Sequence, residues 1–182
     1  MKIYLVRHAE KESEGENPHL TKTGIKQAKA LAKRLGKKKF DEFYCSDMNR
    51  TRETSEIVSK VIKMKPKIES SLNEYEAEDI KKDLSKWNSE EKKRHKLLVE
   101  FMKKINKSAN KKKTVLIIAH GITNRIMMSY FLDIPIKRTI TFRQNETCVN
   151  ILLWYEKFKN WRLEKMNSTG HLSRRLKTYD KR

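Results

Sequence analysis

The chain has 182 residues, of which 37% are hydrophobic, and its 43 Lys and Arg against 23 Asp and Glu give a formal net charge of +20. This length suits one domain, because domains typically span about 100–200 residues. Two cysteines, Cys45 and Cys148, are too few for a disulfide scaffold. No apolar run approaches the roughly 20 residues of a membrane span, and the N-terminal residues are too charged for a signal peptide. We therefore expect a soluble protein of a reducing compartment, the cytoplasm.

In the first half of the chain, the patterns predict strands that alternate with helices. Residues 3–6 form a short apolar run, which is typical of a strand buried on both faces. Thr21 or Thr23 can cap a helix that carries Ile25 on its apolar stripe and ends at Gly36. The other predicted elements of this half are a strand over residues 40–45, a helix capped by Asp47 with Val61 on its inner face and ended by Pro66, and a weaker strand over residues 67–72.

The second half begins with a charged stretch, residues 76–94, whose apolar anchors are Ile80, Leu84 and Trp87. This stretch predicts a loosely held helical excursion. Residues 115–119 form the most hydrophobic run and predict the best buried strand. The other predicted elements are a helix with Leu97, Leu98, Phe101, Met102 and Ile105 on one stripe, a helix over residues 123–132, strands over residues 139–142, 148–154 and 161–166, and a frayed basic tail from Ser173.

Strands that alternate with helices indicate an α/β fold with a largely parallel central sheet. In such sheets, ligands bind at the carboxyl ends of the strands. Arg7 and His8 directly follow the first strand, Arg50 follows the second, and His120 follows the strand over residues 115–119. Guanidinium groups orient phosphate, and a neutral imidazole can attack phosphorus. The sequence therefore predicts phosphoryl chemistry at this edge, with no metal required.

Short motifs extend this picture along the chain. Residues 5–10, Leu-Val-Arg-His-Ala-Glu, resemble the signature of the histidine phosphatase superfamily, also called phosphoglycerate-mutase-like. Further motifs resemble the family in the same order: Leu20-Thr21-x-x-Gly24-x-x-Gln27-Ala28, Ser46-x-Met48-x-Arg50-Thr51-x-x-Thr54, Ala119-His120-Gly121 followed by Arg125 and Pro135, and a closing segment over residues 162–172. The resemblance covers residues 1–172 and implies a three-layer α/β/α sandwich with a mostly parallel central sheet, in a single domain with a helical excursion at about 76–95 over the site. Residues 173–182 would be a basic tail.

The resemblance also implies roles for individual residues. His8 would be the nucleophile that forms a phosphohistidine, and Glu74 the general acid and base. Arg7, Arg50 and His120 would hold the phosphate, and His120 would take part in catalysis as well. Asn17 would add a phosphate contact, although it lies three positions later than the usual loop asparagine of the family.

Two departures from the family pattern bear on these roles. Ala9 stands where glycine is commoner, a small change that we expect the turn to accommodate. No glycine follows Glu74 closely, so Glu76 or Glu78 could hold the acid/base role instead.

The resulting hypothesis is a metal-independent phosphomonoester hydrolase of the small phosphatase branch. Its partners would be a small phosphorylated substrate and inorganic phosphate, with no cofactor. The alternative enzyme is a cofactor-dependent phosphoglycerate mutase, for which the chain is short. An alternative of another class is a polyanion-binding module, which the net charge of +20 favours. The basic residues are spread along the chain, among acidic ones, and no nucleic-acid-binding motif accompanies them. We therefore expect no specific nucleic acid and no membrane as partners, and leave the oligomeric state open.

Overall fold

The computed structural model describes residues 1–76, 78, 81, 82 and 84–178, and a six-stranded sheet crosses this part of the chain. In chain order, the strands are β1 (Lys2–Arg7), β2 (Glu42–Cys45), β3 (Lys67–Ile68), β4 (Thr114–Ala119), β5 (Val149–Tyr155) and β6 (Asn160–Ser168). The α-helices that lie entirely within the described residues are α1 (Lys22–Leu35), α2 (Asn49–Ile62), α3 (Ser89–Asn106) and α4 (Gly121–Leu132). No helix of the described residues combines the length and apolar composition that crossing a membrane requires.

The strand order of the sheet is β3-β2-β4-β1-β5-β6. Strands β1 to β4 pair in parallel, whereas β5 pairs antiparallel with β1, and β6 pairs antiparallel with β5 at the edge of the sheet. The predicted α/β fold with a mostly parallel sheet is therefore confirmed. In the register of the sheet, Arg7 lies opposite Ala119 and Cys45 opposite Ile118, so the carboxyl ends of β1, β2 and β4 meet at one edge.

Helices cover both faces of the sheet, which makes the three layers. Alternate residues of β1 point to opposite faces, as the two-residue period of a strand dictates. Ile3 and Leu5 pack in one cluster with residues of α3 and α4, whereas Tyr4 and Val6 pack in another with residues of α1 and α2. Burial on both sides explains why β1 and β4 are continuous apolar runs.

Three element predictions from the first half are wrong in detail. Helix α2 begins at Asn49 rather than after Asp47, because the chain stays extended at Met48 and the N–H of Asn49 donates to Asn17 Oδ1 at 2.9 Å. Val61 and Ile25, predicted on the apolar faces of α2 and α1, are 48% and 39% exposed, because the apolar stripe of each helix is wider than the face that the helix buries. The strand over residues 67–72 shrinks to β3, since the Glu69 side chain accepts the N–H of Ser71 and supports a 3₁₀ turn at Ser70–Leu72.

In the second half, the strand predicted over residues 139–142 is wrong. Residues Ile136–Thr141 form a 3₁₀ helix, in which the hydroxyls of Thr139 and Thr141 donate to the carbonyls three residues earlier. Leu97 is 47% exposed, not part of the buried stripe. Of the tail that was predicted to be frayed, residues 173–178 are described, and they are held against α1, because Gln27 Nε2 donates to Leu176 O at 2.9 Å and to Thr178 Oγ1 at 2.7 Å.

The charged excursion is held at its end by Trp87, which is buried and contacts the rings of Tyr75 and His95. Asn88 and Glu91 then form a capping box that starts α3. Of the other predicted anchors, Ile80 and the side chain of Leu84 lie outside the described residues.

The glycine of the motif over residues 20–28, Gly24, lies where the first turn of α1 packs closely against the loop after β1. A Cβ at this position would lie 2.0 Å from the carbonyl oxygen of Glu10, which also accepts the N–H of Thr21. Backbone cannot move aside as a flexible side chain does. We expect Gly24→Ala to lower the free energy of unfolding by about 2 kcal/mol or more, the cost typical of overpacking.

Urea unfolding followed by circular dichroism measures this change. Gly170→Ala is the matched control, because its Cβ would meet nothing within 4 Å. Equal stability of the two variants would show that the contact with Glu10 has no energetic weight.

Candidate active site

Four of the sequence-predicted site residues meet at the carboxyl edge of the sheet. Arg7 ends β1 and His8 follows it, His120 follows β4 at the N-terminus of α4, and Arg50 lies in the first turn of α2. All four side chains belong to residues that are at most 5% exposed. The imidazole rings of His8 and His120 lie with their centroids 5.1 Å apart. The parallel topology thus collects two imidazoles and two guanidiniums in one pocket.

His8 is oriented by contacts to both ring nitrogens. Its Nδ1 lies 2.7 Å from the carbonyl oxygen of Ala9, which can only accept, so Nδ1 carries the proton. Nε2 therefore has a lone pair, and Arg50 Nε lies 3.3 Å from it as a donor. Burial, and then the charges of His120, Arg7 and Arg50, hold the pKa of His8 well below its usual value. A neutral imidazole with its lone pair on Nε2 is the nucleophilic form, and Arg50 gives up this hydrogen bond when Nε2 attacks phosphorus.

Arg7 is held from a loop that sequence reasoning missed. One terminal nitrogen donates to the carbonyl oxygen of Gln144 at 2.6 Å, and the other lies 3.4 Å from a carboxylate oxygen of Glu146. Glu146 is 7% exposed and lies in the polar run just before β5. An uninterrupted polar run next to a buried strand is the signal that could have identified it. The ion pair orients the guanidinium and leaves the pocket with a smaller excess of positive charge.

Glu74 reaches the same pocket from the segment after the 3₁₀ turn. Its Oε1 accepts the backbone N–H groups of Ile122 at 3.0 Å and Thr123 at 3.3 Å, at the N-terminus of α4. Its Oε2 lies 4.0 Å from Nδ1 of His120. Burial raises the pKa of Glu74, against the opposing effect of Arg7, Arg50 and the two N–H donors. Because Oε1 is committed to accepting, the proton of the neutral acid lies on Oε2.

The pocket opens into a cavity of about 640 Å³. Arg7 and Glu74 belong to both the pocket and the cavity lining, whereas the buried His8, Arg50 and His120 lie behind this lining. Gly121 also lines the cavity, and Glu76 and Glu78 line it as exposed residues. The remaining lining is mixed in character and comprises Tyr75, Lys81, Ile122, Arg125, Ile140, Arg143, Gln144 and Asn145. The structure thus places Glu74, rather than Glu76 or Glu78, against His120.

Asn17 is not brought into this group. It is exposed, and its side-chain oxygen accepts the N–H of Asn49 while its carbonyl oxygen accepts from the Asn49 side chain. In the structure, Asn17 caps the first turn of α2, next to Arg50, and its role as a phosphate ligand stays a prediction.

His8, Glu74 and His120 also have the donor atoms of a metal site, since one atom from each lies within 4.8 Å of the others. The surrounding charge disfavours a cation there. Arg50 donates to the Nε2 atom that a metal would need, and Arg7 adds a second positive group. The donor set together with two guanidiniums fits an oxyanion better than a metal ion.

Comparison with known proteins points the same way. The family model of the histidine phosphatase superfamily (branch 1) matches residues 3–100 and 96–169. A curated protein of Schizosaccharomyces pombe, named a probable phosphatase, is 25% identical over 158 residues, which cover 73% of this chain and 74% of that protein. A probable phosphoglycerate mutase of Photorhabdus laumondii is 35% identical over 82 residues, 41% of this chain and 38% of its own.

Solved structures share the fold. A phosphoserine phosphatase variant from Entamoeba histolytica, in complex with phosphoserine, superimposes with a TM-score of 0.71 at 20% identity and covers 94% of this chain and 99% of its own. A mycobacterial glucosyl-3-phosphoglycerate phosphatase in complex with inorganic phosphate has a TM-score of 0.71 at 16% identity, covering 94% and 99%. The α-ribazole phosphatase of Shigella flexneri has a TM-score of 0.73 at 19% identity, covering 92% and 96%.

Proposed function

Because the chain belongs to the histidine phosphatase superfamily, we propose that it hydrolyses phosphomonoesters through a phosphohistidine on His8. One observation carries the proposal: a neutral His8 presents the Nε2 lone pair to a pocket that Arg7, Arg50 and His120 make suitable for phosphate. The positive charge for the reaction comes from these residues, so the proposed mechanism needs no metal ion and no cofactor.

In the first step, His8 Nε2 attacks phosphorus while the ester P–O bond breaks. The leaving oxygen takes the proton from Oε2 of Glu74, whose raised pKa keeps a larger share of it protonated. Arg7, Arg50 and His120 contact the other three phosphoryl oxygens and stabilise the charge that they carry. The products are the free alcohol, a Glu74 carboxylate and phosphohistidine.

In the second step, water replaces the alcohol. The Glu74 carboxylate takes a proton from the water molecule as its oxygen attacks phosphorus, and the N–P bond breaks. His8 returns to its neutral form and inorganic phosphate leaves. Glu74 therefore acts as acid and then as base at one atom, which its fixed Oε1 contacts to Ile122 and Thr123 support.

The substrate we propose is a small phosphorylated molecule. Support comes from the cavity of about 640 Å³, the size of sites for small ligands, and from the relatives that bind phosphoserine or inorganic phosphate. We also propose a cytoplasmic location, which the two buried free thiols Cys45 and Cys148 fit. Residues 1–172 are proposed as one domain, since a single sheet collects strands from Lys2 to Ser168.

Phosphoglycerate mutase activity is the second candidate, favoured by the match to the Photorhabdus protein. A mutase must return the phosphoryl group of phosphohistidine to a bound alcohol rather than to water. The match covers less than half of either chain, so we rank hydrolysis first.

A phosphate-release screen over a panel of phosphomonoesters tests the proposal. The panel includes phosphoamino acids, sugar phosphates, nucleotides and p-nitrophenyl phosphate, with His8→Ala protein as the blank. We expect release above the blank from at least one small ester, and a coupled mutase assay run beside it to stay at the level of the blank. Mutase turnover without phosphate release would favour the second candidate, and activity equal to the blank on every ester would refute the hydrolase.

A further inference from the structure

Behind His120 lies a chain of buried hydroxyl groups that the proposed mechanism does not use. Ser46 Oγ lies 2.7 Å from His120 Nε2 and 2.6 Å from Thr51 Oγ1. Thr51 Oγ1 in turn lies 2.6 Å from the carbonyl oxygen of Met48 and 3.2 Å from that of Ser46. Ser46, Thr51 and His120 are each fully buried. The imidazole is therefore connected, through two hydroxyls, to backbone acceptors.

The backbone carbonyls at the far end fix the direction of each hydrogen bond between Thr51, Ser46 and His120. A carbonyl oxygen only accepts, so Thr51 gives its single proton to the backbone. Toward Ser46, Thr51 Oγ1 must then accept, and Ser46 must donate. Ser46 Oγ is left as an acceptor for His120, a role in which it also receives the N–H of Met48 at 3.4 Å. His120 therefore carries its proton on Nε2.

The other ring nitrogen of His120, Nδ1, therefore carries no proton. Nδ1 is buried and has no hydrogen-bond partner among the described residues, and at 4.0 Å the Oε2 atom of Glu74 is too far to be one. The charged and titratable groups around the ring are Glu74, His8, Arg7, Arg50 and Arg94, the last of which lies on α3. Nδ1 is thus an unprotonated, buried nitrogen in the pocket, and its lone pair can accept a proton.

We propose that Ser46 and Thr51 are positioning residues, which hold His120 in the Nε2–H tautomer so that Nδ1 takes up a proton when the phosphate group binds. For a substrate monoanion, the O–H proton of the phosphate moves to Nδ1, which leaves a phosphate dianion beside an imidazolium. For a dianion, the proton comes from water and leaves hydroxide in the solvent. Either way, the new N–H of Nδ1 donates to a phosphoryl oxygen. The inference rests on the proposed function in taking phosphate as the ligand of the pocket.

The pKa direction is consistent with this exchange. Burial, with Arg50, Arg7 and Arg94, holds the pKa of His120 well below its usual value in the free protein. The free imidazole is therefore neutral at pH 7, and the negative charge of bound phosphate raises the pKa again. With the hydroxyl of Ser46 removed, the buried Nε2–H would lose its acceptor. The proton would then favour Nδ1, which could donate to phosphate without any uptake.

Calorimetry of inorganic phosphate binding tests the proposal without any turnover. At pH 8, titrations in buffers of different ionisation enthalpy give the number of protons taken up per phosphate bound. We expect uptake by the wild-type protein, markedly less by Ser46→Ala and Thr51→Val, and wild-type uptake by Thr51→Ser, which restores the hydroxyl. Ser59→Ala is the control, because it removes an exposed hydroxyl from α2, the helix that also carries Thr51. Equal uptake by wild type and Ser46→Ala would overturn the proposal.

Nitrogen NMR of histidine-labelled wild-type protein provides a second test that needs no variant to fold. We expect opposite tautomers in the free protein, with the proton of His8 on Nδ1 and that of His120 on Nε2. A proton on Nδ1 of His120 would overturn the proposal. In the phosphate-release assay, we expect kcat/KM of Ser46→Ala to fall roughly 10-fold, less than the roughly 100- to 1000-fold typical for loss of a direct transition-state donor. If phosphate binds with the expected proton uptake but no ester is hydrolysed, the proposed function fails and this inference stands.

Discussion

Replacing His8 with alanine is expected to lower phosphate release on the order of 10⁴-fold or more, because without a nucleophile the pocket can only bind the ester. Arg7, Arg50 and His120 remain, so we expect inorganic phosphate still to bind. Initial rates with p-nitrophenyl phosphate and with the best ester of the panel measure the effect, and the far-ultraviolet circular dichroism spectrum checks the fold.

The matched control is His19→Ala. His19 is a histidine with a 70% exposed side chain that pairs with Glu53, whereas His8 is 2% exposed. Its variant should keep the wild-type rate. If the His8→Ala protein is folded and retains more than a small fraction of the wild-type rate, His8 is not the nucleophile.

Replacing Glu74 with glutamine is expected to give the second largest loss, about 10²- to 10⁴-fold in kcat for esters of alkyl alcohols, the range typical of general acid–base catalysis. Glutamine can still accept the N–H groups of Ile122 and Thr123 through its carbonyl oxygen, but its amide N–H is too weak an acid to transfer a proton to the leaving oxygen. The loss in the phosphorylation step should be smaller for p-nitrophenyl phosphate, since that leaving group needs little protonation.

The pH profile of phosphorylation distinguishes Glu74 from the two other glutamates of the cavity. The reactive form has neutral His8 and protonated Glu74. The rate therefore rises with pH through the lowered pKa of His8 and falls with pH through the raised pKa of Glu74. In Glu74→Gln protein, we expect the part of the alkaline fall that is due to Glu74 to disappear, so that only loss of the Nδ1 proton of His120 lowers the rate at alkaline pH.

Glu76→Gln and Glu78→Gln are the matched controls, since both residues are exposed and line the same cavity. Both should keep the alkaline fall and rates near wild type. Loss of that fall in either variant, with Glu74→Gln unaffected, would move the acid/base role to the glutamate concerned.

Sequence patterns predicted the sheet and the position of the pocket well, because both follow from local composition. Residues 3–6 and 115–119 are apolar throughout, and such runs are buried on both faces of a parallel sheet. Once those strands are parallel neighbours, Arg7 and His8 must lie beside His120. Arg50 joins them because β2 pairs with β4 and α2 begins shortly after β2 ends.

Contacts between distant segments were less predictable. The pairing of Arg7 with Glu146, separated by most of the chain, follows from the position of the loop before β5 and leaves no periodic signal. The 3₁₀ helix at Ile136–Thr141 was mistaken for a strand, because β-branched residues favour strands while threonine hydroxyls also bond to local carbonyls. The position of Leu176 and Thr178 likewise depends on contacts with Gln27, which lies on α1, far away in the sequence.

The central claim, a covalent intermediate on His8, is tested most directly by trapping it. Glu74→Gln protein is mixed with p-nitrophenyl phosphate, quenched in alkali, which preserves phosphohistidine, and digested for mass spectrometry. Formation of the intermediate is expected to survive in this variant with so good a leaving group, whereas its hydrolysis should be slow. We predict one phosphoryl group on the imidazole of His8, attached at Nε2. A phosphoryl group on any other residue would contradict the mechanism. So would a measurable burst of p-nitrophenol without any phosphoryl group on the protein.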